Sequence, residues 1–249
     1  MGTSRKIIAA SVVGALVLGI SVAYRVMEET RYDAPRYAPI APDWAAIAGW
    51  PGQEGGDIDA QPDPNRVYTA IVLDDSGSMG SDIEAAKRAV TASLDAMDDQ
   101  DAVAVFALNR GLILPFMPAA EARRALPAPL SRVTSDGNTP LTPAIAKARA
   151  ALEVEGARVG GFGTYRILVT TDGAANNGDA LRREIEDIAR VTPIQLATIG
   201  VGISGNHVLR RPDLAAFVAI KDVSDLASAL RSAVAEEQTF KAITSFGSN

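Results

Sequence analysis

The feature that most constrains the fold is a regular alternation of short apolar runs and amphipathic stretches from Val67 to Ala235. The short runs are almost continuously apolar, which is typical of strands buried on both faces of a parallel sheet. The stretches between them have helical spacing and supply the crossovers that parallel strands need. We therefore expect one doubly wound, mostly parallel, Rossmann-like α/β sheet flanked by helices. The predicted strands are 67–73, 102–108, 111–116, 165–170, 194–201 and 217–220, and the predicted helices are 82–97, 118–126, 142–152, 179–191 and 224–235.

An uncharged, mostly apolar run of 18 residues precedes this pattern, from Ile7 to Tyr24. As a helix it is long enough to cross a bilayer, so residues 1–25 are predicted to be a single transmembrane anchor. A cleaved signal peptide is the alternative, with Ser21-Val22-Ala23 as the cleavage site. Arg5 and Lys6 place the N-terminus in the cytoplasm and the rest on the periplasmic or extracellular side. A bacterial inner membrane is the plainest setting for this architecture.

Residues 26–64 are rich in Pro and Gly, so they are predicted to be a juxtamembrane linker. Both tryptophans of the chain, Trp44 and Trp50, lie in this stretch. Three roles are open for them: packing on the domain itself, lying at the membrane surface, or binding a partner. The domain is expected to span 65–236, followed by a C-terminal tail at 237–249.

Composition excludes several kinds of site. The chain has no Cys, which excludes disulfides, thiolate zinc sites and iron–sulfur centres, and its one histidine, His207, excludes a His-rich metal cluster. Lys and Arg number 24 against 30 Asp and Glu, giving a net charge of −6. A protein this acidic is a poor match for a phosphate backbone, so we expect no nucleic-acid partner.

Oxygen-bearing side chains follow two of the predicted strands and precede one predicted helix. Ligands of doubly wound sheets bind at the carboxyl ends of the strands, so these loops are expected to meet. Their side chains are carboxylates and hydroxyls, which suit Mg²⁺, with Mn²⁺ or Ca²⁺ as substitutes, and do not suit zinc or copper. The candidate ligands are Asp74, Ser76, Ser78, Thr139 and Asp172.

At these positions the chain resembles the von Willebrand factor type A domain family, over about residues 65–236. The family's metal-ion-dependent adhesion site has the pattern Asp-x-Ser-x-Ser, then a Thr, then an Asp, in this chain order, and the five residues above match it. The resemblance implies that the two serines and Thr139 coordinate Mg²⁺ directly, while Asp74 and Asp172 hold waters or contact the ion in one state. It also implies that a partner protein supplies a Glu or Asp to the metal. Asn138 departs from the family, which often has Gly there.

Other residues near the motif have ordinary interpretations. Asp75 is interpreted as a solvated surface acid or as a residue that supports the ligands. Together with Trp44, Trp50 and Asn138, it is a weaker candidate for partner binding. Thr142 is interpreted as the cap of the helix that follows it, and His207 as a turn residue.

Enzymatic functions fit the sequence less well. No Asp ends the strand 111–116, as a response-regulator receiver domain would require, and Ser76 stands where an aspartyl phosphatase has a second Asp. No Gly-rich phosphate-binding loop ends in Lys-Ser or Lys-Thr. A Mg²⁺-dependent hydrolase with Asp75 as its base, and a metal-free structural scaffold of a membrane complex, are the alternatives. We expect a membrane-anchored, non-enzymatic module for Mg²⁺-dependent protein–protein interaction.

Overall fold

One of the two central strands of the six-stranded sheet is β1, Val67–Leu73, and every one of its residues is buried. The computed structural model describes residues 40–52, 63–173, 175–203, 207–211 and 214–241, all within the unit Ala38–Asn249. The side chains of 236–241 are not described. The remaining strands are β2 Ala102–Ala107, β3 Gly111–Pro118, β4 Thr164–Thr171, β5 Gln195–Val201 and β6 Ala215–Ile220.

These strands form one sheet in the order β3-β2-β1-β4-β5-β6. All neighbouring pairs are parallel except β2 with β3, which pair antiparallel and irregularly. The predicted mostly parallel, Rossmann-like α/β fold is confirmed. The described α-helices are α1 Trp44–Ala48, α2 Ile83–Ser93, α3 Ala119–Ala125, α4 Pro127–Leu130, α5 Leu141–Arg158, α6 Gly178–Val191 and α7 Leu226–Lys241. Short 3₁₀ turns lie at Gly77–Asp82, Leu94–Ala96 and Val223–Asp225.

Helices cover both faces of the sheet, which gives the domain two apolar cores. Because successive side chains of a strand point to opposite faces, β1 contributes Ile71 and Leu73 to one core and Ala70 and Val72 to the other. The first core is completed by α2, α3, α4 and α7, and the second by α5 and α6. Burial on both faces explains why the strands are almost continuously apolar.

The structure corrects the interpretation of Thr142 as a helix cap. Helix α5 begins one residue earlier, at Leu141, with Pro140 at the cap position and no side-chain capping bond. The Leu141 N–H donates instead to the Thr139 carbonyl at 2.9 Å. Thr142 therefore lies inside the first turn. At the other end of the domain α7 runs beyond Ala235 to Lys241.

The predicted anchor at 1–25 and the last residues of the predicted tail, 242–249, lie outside the described residues. Among the residues that are described, no helix combines the length and the apolar character needed to cross a membrane.

The described part of the predicted linker packs on the domain. The Asp43 N–H donates to the Arg190 carbonyl at the end of α6, and the Asp43 side chain caps α1. Trp50 meets the ring of Tyr165 edge-on, with 4.5 Å between centroids. Gly156 in α5 makes room for this indole, because a Cβ there would lie 2.5 Å from it. Trp50 thus packs on its own domain, whereas Trp44 is 72% exposed.

Replacing the two tryptophans should have unequal effects. Trp50→Ala removes a half-buried indole from between α5 and Tyr165, so we expect a loss of about 2–3 kcal/mol in the free energy of unfolding. Trp44→Ala, the matched control at an exposed position, should change it by less than about 0.5 kcal/mol. Urea unfolding followed by circular dichroism measures both. Equal effects would contradict the packing described here.

Candidate metal centre

The candidate ligands meet at the carboxyl edge of the sheet, where β1 and β4 lie side by side. The chain leaves β1 toward β2 on one side and later returns to β4 on the other, so this is the point where the strand order reverses. Ligands of doubly wound sheets bind in the crevice at such a point. Asp74 follows β1 directly, and Asp172 follows β4 directly.

Asp74 is fully buried, and both of its carboxylate oxygens accept hydrogen bonds. The Ser76 N–H donates to Oδ1 at 2.9 Å, and the Thr171 hydroxyl donates to Oδ2 at 2.7 Å. The first bond shapes the loop after β1, and the second joins that loop to the end of β4. Asp74 therefore fixes the two strand ends relative to each other.

A chain of hydrogen bonds connects the two serines to Asp172. The Ser76 and Ser78 hydroxyl oxygens lie 3.0 Å apart, and the Ser78 hydroxyl donates to Asp172 Oδ1 at 2.8 Å. Ser76 is buried, whereas Ser78 is exposed to solvent. The 3₁₀ turn that begins at Gly77 brings both hydroxyls to the same side of the loop.

Thr139 joins this group from the loop before α5. A Cβ built on Gly173 would lie 3.8 Å from Thr139 Oγ1 and 3.9 Å from Ser78 Oγ, so both hydroxyls flank the residue that follows Asp172. Asn176 holds the backbone of Thr139 twice. Its side-chain oxygen accepts from the Thr139 N–H at 3.1 Å, and its own N–H donates to the Thr139 carbonyl at 3.2 Å.

The interpretation of Asp75 as a solvated surface acid is wrong, because the residue is completely buried. The backbone N–H and the side-chain amide of Asn109 donate to its Oδ1 at 2.8 and 3.1 Å. Its Oδ2 accepts no hydrogen bond and lies 4.0 Å from Arg110 Nε. Burial leaves Asp75 without a surface for direct contact with a partner. Asn138 is exposed at the same edge.

Burial also shifts the pKa values of two acids at this edge. It raises the pKa of Asp172, and repulsion from Asp74 and Asp82 adds to that effect, while the hydrogen bond from Ser78 opposes it. Burial likewise raises the pKa of Asp75, against the hydrogen bonds from Asn109. A positive charge at this edge would relieve the cost of keeping these carboxylates ionised.

His207 proves to be a structural support for the Asp172 loop. The imidazole is buried, and its Nε2 lies 3.0 Å from the Gly173 carbonyl, while the Leu209 N–H donates to Nδ1 at 3.1 Å. Nδ1 accepts and Nε2 faces an acceptor, so the neutral ring with its proton on Nε2 satisfies both contacts. Burial lowers the pKa of His207.

Asn109 and Asn176 were not among the predicted site residues. Both follow strands at the carboxyl edge, β2 and β4, where the topology directs attention. An amide in a turn is commonplace, so nothing in the residue type marked them. Ser135 was also missed, although its hydroxyl accepts from the Gly80 N–H and donates to the Ser76 carbonyl at 2.7 Å.

The residues of this cluster fit a hard divalent cation. Hydrogen bonds join Asp74, Ser76, Ser78 and Asp172, and the Thr139 hydroxyl lies beside Gly173 next to them. Two carboxylates and three hydroxyls are oxygen ligands that suit Mg²⁺ and Mn²⁺. In the described part of the chain, no three or more His, Cys, Asp or Glu side chains gather as a metal site. The fit therefore depends on the hydroxyls of Ser76, Ser78 and Thr139 as much as on Asp74 and Asp172.

Comparison with known proteins supports the family expected from the motif. The family model of the von Willebrand factor type A domain matches residues 69–174, a range that contains all five candidate ligands. No curated protein matches the chain.

Solved structures share the fold at low sequence identity. A von Willebrand factor type A protein from Catenulispora acidiphila is 21% identical, with a TM-score of 0.61 over 70% of this chain and 43% of that one. The manganese-loaded TRAP protein of Plasmodium vivax is 17% identical, with a TM-score of 0.53 over 69% and 74%. The SpRpn10 VWA domain is 16% identical, with a TM-score of 0.53 over 66% and 95%. The match thus spans less than half of the Catenulispora protein. These likenesses show a shared fold, and the family model adds a match over residues 69–174.

Replacing His207 should reduce the sensitivity of the fold to acid. The pKa of the buried imidazole lies below its ordinary value of 6.5, so the unfolded chain takes up a proton there more readily than the folded one. Its contribution to stability is complete above about pH 6.5 and is lost as the pH falls below that value. His207→Gln keeps a donor for the Gly173 carbonyl but does not titrate.

The measurement is the free energy of unfolding of both proteins between about pH 7.5 and pH 5.5. We expect the wild type to lose more stability over this interval than His207→Gln. Asp75 and Asp172, whose pKa values are raised, are present in both proteins, so their titration cancels in the difference. If the free energies of unfolding of the two proteins fell in parallel with pH, the lowered pKa of His207 would be contradicted.

Proposed function

We propose that this von Willebrand factor type A domain is a membrane-anchored binding module that holds Mg²⁺ and uses it to bind a carboxylate of a partner protein. The observation that carries the proposal is the convergence of five oxygen-bearing side chains at the carboxyl edge, four of which belong to residues joined by hydrogen bonds. Domains of this family commonly serve as protein-interaction modules, and the manganese-loaded TRAP protein shares the fold. Binding, and not catalysis, is the activity we assign.

The protein residues have distinct tasks in this proposal. Asp74, held by Thr171 and by the Ser76 N–H, stays fixed at the base of the group. Ser78 and Asp172 lie toward solvent and would hold the outer side of the ion. A bound Mg²⁺ would supply the positive charge that attracts a Glu or Asp side chain. The ion would also offset the charges of Asp74 and Asp172, which would otherwise repel an incoming carboxylate.

The alternative of a Mg²⁺-dependent hydrolase is less well supported. Asp75 was its only convincing general base, and a base must reach the proton that it removes. The Asp75 carboxylate is buried beneath Asn109, which donates twice to its Oδ1. An acid in this position supports loops more readily than it activates water.

Mg²⁺ should stabilise the wild type against heat, and Asp172→Asn should abolish that response. A ligand that binds only the folded state adds about 2.7 kcal/mol at a hundred times its Kd. In chelator the variant should be at least as stable as the wild type, because burial, which raises the pKa of Asp172, makes its charged form costly in the fold. Melting temperatures with Mg²⁺ or EDTA test both statements.

The control for this experiment is Asp95→Asn, which removes an exposed carboxylate at the end of α2 away from the cluster. It should respond to Mg²⁺ as the wild type does. The proposal of a cation at this cluster would be contradicted by either of two results. The melting temperature of the wild type would not change with Mg²⁺ or Mn²⁺, or that of Asp172→Asn would still rise.

Recognition of a partner should depend on both the cation and an acid. Peptides with a central Glu or Asp should bind in Mg²⁺ and lose binding in EDTA, while the matched Gln or Asn peptides, which lack the charge, should bind in neither. Surface plasmon resonance with immobilised protein measures this. Acid-dependent binding that survives EDTA or Asp172→Asn would place recognition elsewhere.

We further propose that residues 7–24 anchor the chain with the domain on the periplasmic or extracellular side. The support is the 18-residue uncharged run and the basic residues Arg5 and Lys6 before it. Digestion of the domain by protease added to spheroplasts agrees with this orientation, and digestion only after lysis reverses it.

A further inference from the structure

Asn109 contacts three parts of the carboxyl edge at once. Its side-chain amide lies 3.1 Å from Asp75 Oδ1, 3.0 Å from the Asp136 carbonyl and 2.9 Å from the Asn138 carbonyl. All three neighbours are acceptors, so the nitrogen and not the oxygen of the amide must face them. Two amide hydrogens thus serve three acceptors, and the backbone N–H of Asn109 adds a further bond to Asp75.

The Asn138 carbonyl belongs to the peptide group that also contains the Thr139 N–H. A peptide group is planar, so fixing its carbonyl and its N–H fixes its orientation. Asn109 donates to the carbonyl, and Asn176 accepts from the N–H at 3.1 Å. Two asparagines on opposite sides of the loop therefore set the orientation of the peptide from which Thr139 extends.

Gly137 allows Asn109 to come this close. Its φ of +77° is a conformation that favours glycine, and a Cβ there would lie 2.7 Å from Asn109 Oδ1. Two backbone bonds support the same turn: the Asp136 N–H donates to the Asp75 carbonyl at 2.8 Å, and the Gly77 N–H donates to the Gly137 carbonyl at 3.0 Å.

We infer that Asp75 and Asn109 are positioning residues, which hold the turn 136–139 so that Thr139 faces Ser78 and Asp172. Asp75 is buried and orients Asn109 by accepting its hydrogen bonds. Asn109 is exposed and in turn fixes the turn 136–139. The inference rests on the proposed function insofar as Thr139 is a ligand. Neither residue contacts the cation in this assignment, and Asp75 acts as a hydrogen-bond acceptor, not through its charge.

Mn²⁺ titration of the full chain, followed by electron paramagnetic resonance, tests the effect on the cation. Outer residues that orient ligands typically change metal affinity 10–100-fold, so we expect Asn109→Ala and Asp75→Ala to weaken Mn²⁺ at least about tenfold. Asp75→Asn retains the acceptor oxygen and should stay within about threefold of the wild type. If the charge of Asp75 were what matters, Asp75→Asn would bind as poorly as Asp75→Ala, and the inference would fail.

A double-mutant cycle identifies the residue through which Asn109 acts. If Asn109 works by placing Thr139, then Asn109→Ala should weaken Mn²⁺ by no more than about twofold once Thr139 is Ala. Additive effects would overturn the inference. Arg110→Ala is the control, since Arg110 adjoins Asp75 and bonds to Thr134 but has no bond to the turn 136–139 in the described structure. It should leave Mn²⁺ affinity unchanged.

Hydrogen exchange in EDTA separates this inference from the proposed function. Asn109→Ala should speed amide exchange in 134–141 and leave β5 and α6 unchanged. Gly137→Ala, which displaces Asn109 from the other side, should do the same. Unchanged exchange in 134–141 overturns the positioning role. If Asn109→Ala exchanges faster in 134–141 but the wild type binds no Mn²⁺, Asn109 does hold the turn and the proposed function is refuted.

Discussion

The structure depends on the burial of two consecutive carboxylates at the end of strand β1. Asp74 and Asp75 are both fully buried, and a buried charge is costly unless hydrogen bonds or an opposite charge satisfy it. Thr171 and the Ser76 N–H satisfy both oxygens of Asp74, and Asn109 satisfies Oδ1 of Asp75. The bonds from Thr171 and Asn109 reach from the end of β1 to the ends of β4 and β2, while the Ser76 bond shapes the loop after β1. Satisfying the two acids therefore also assembles the carboxyl edge.

The sequence predicts the sheet well because its strands are marked by burial on both faces. β1 runs over the predicted 67–73, and the candidate ligands lie at the edge that the topology rule indicates. The contacts of Asn109 and Asn176 were beyond prediction, since they depend on how turns distant in sequence approach one another. The burial of Asp75 was equally hidden, because an acid after a strand is ordinarily solvated. Trp50 lay in a stretch whose Pro and Gly content indicated a linker, and only the fold brings Gly156 and Tyr165 to it.

The affinity of a metal site built largely from hydroxyls depends on orientation more than that of a site built from carboxylates. Hydroxyl oxygens stabilise a divalent ion without cancelling its charge, so affinity depends strongly on how well they are oriented. Ser76 and Ser78 belong to one short turn and are oriented by Asp74 and Asp172. Thr139 lies on a separate loop, and in the described structure its backbone is oriented by amide contacts. The third hydroxyl is therefore the one whose position depends most on residues outside the motif.

The two strands that end at the cluster are also held at their other ends. Tyr68 in β1 stacks on Tyr165 in β4 with centroids 5.1 Å apart, and Trp50 closes against Tyr165. A strand of seven residues separates that aromatic group from the oxygen cluster by about 20 Å. Since β1 and β4 are buried along this whole length, they form a rigid base for Asp74 and Asp172. Adjustment at the carboxyl edge is then confined to the loops, and the amide contacts of Thr139 are where a small change in sequence would tune the site without disturbing the sheet.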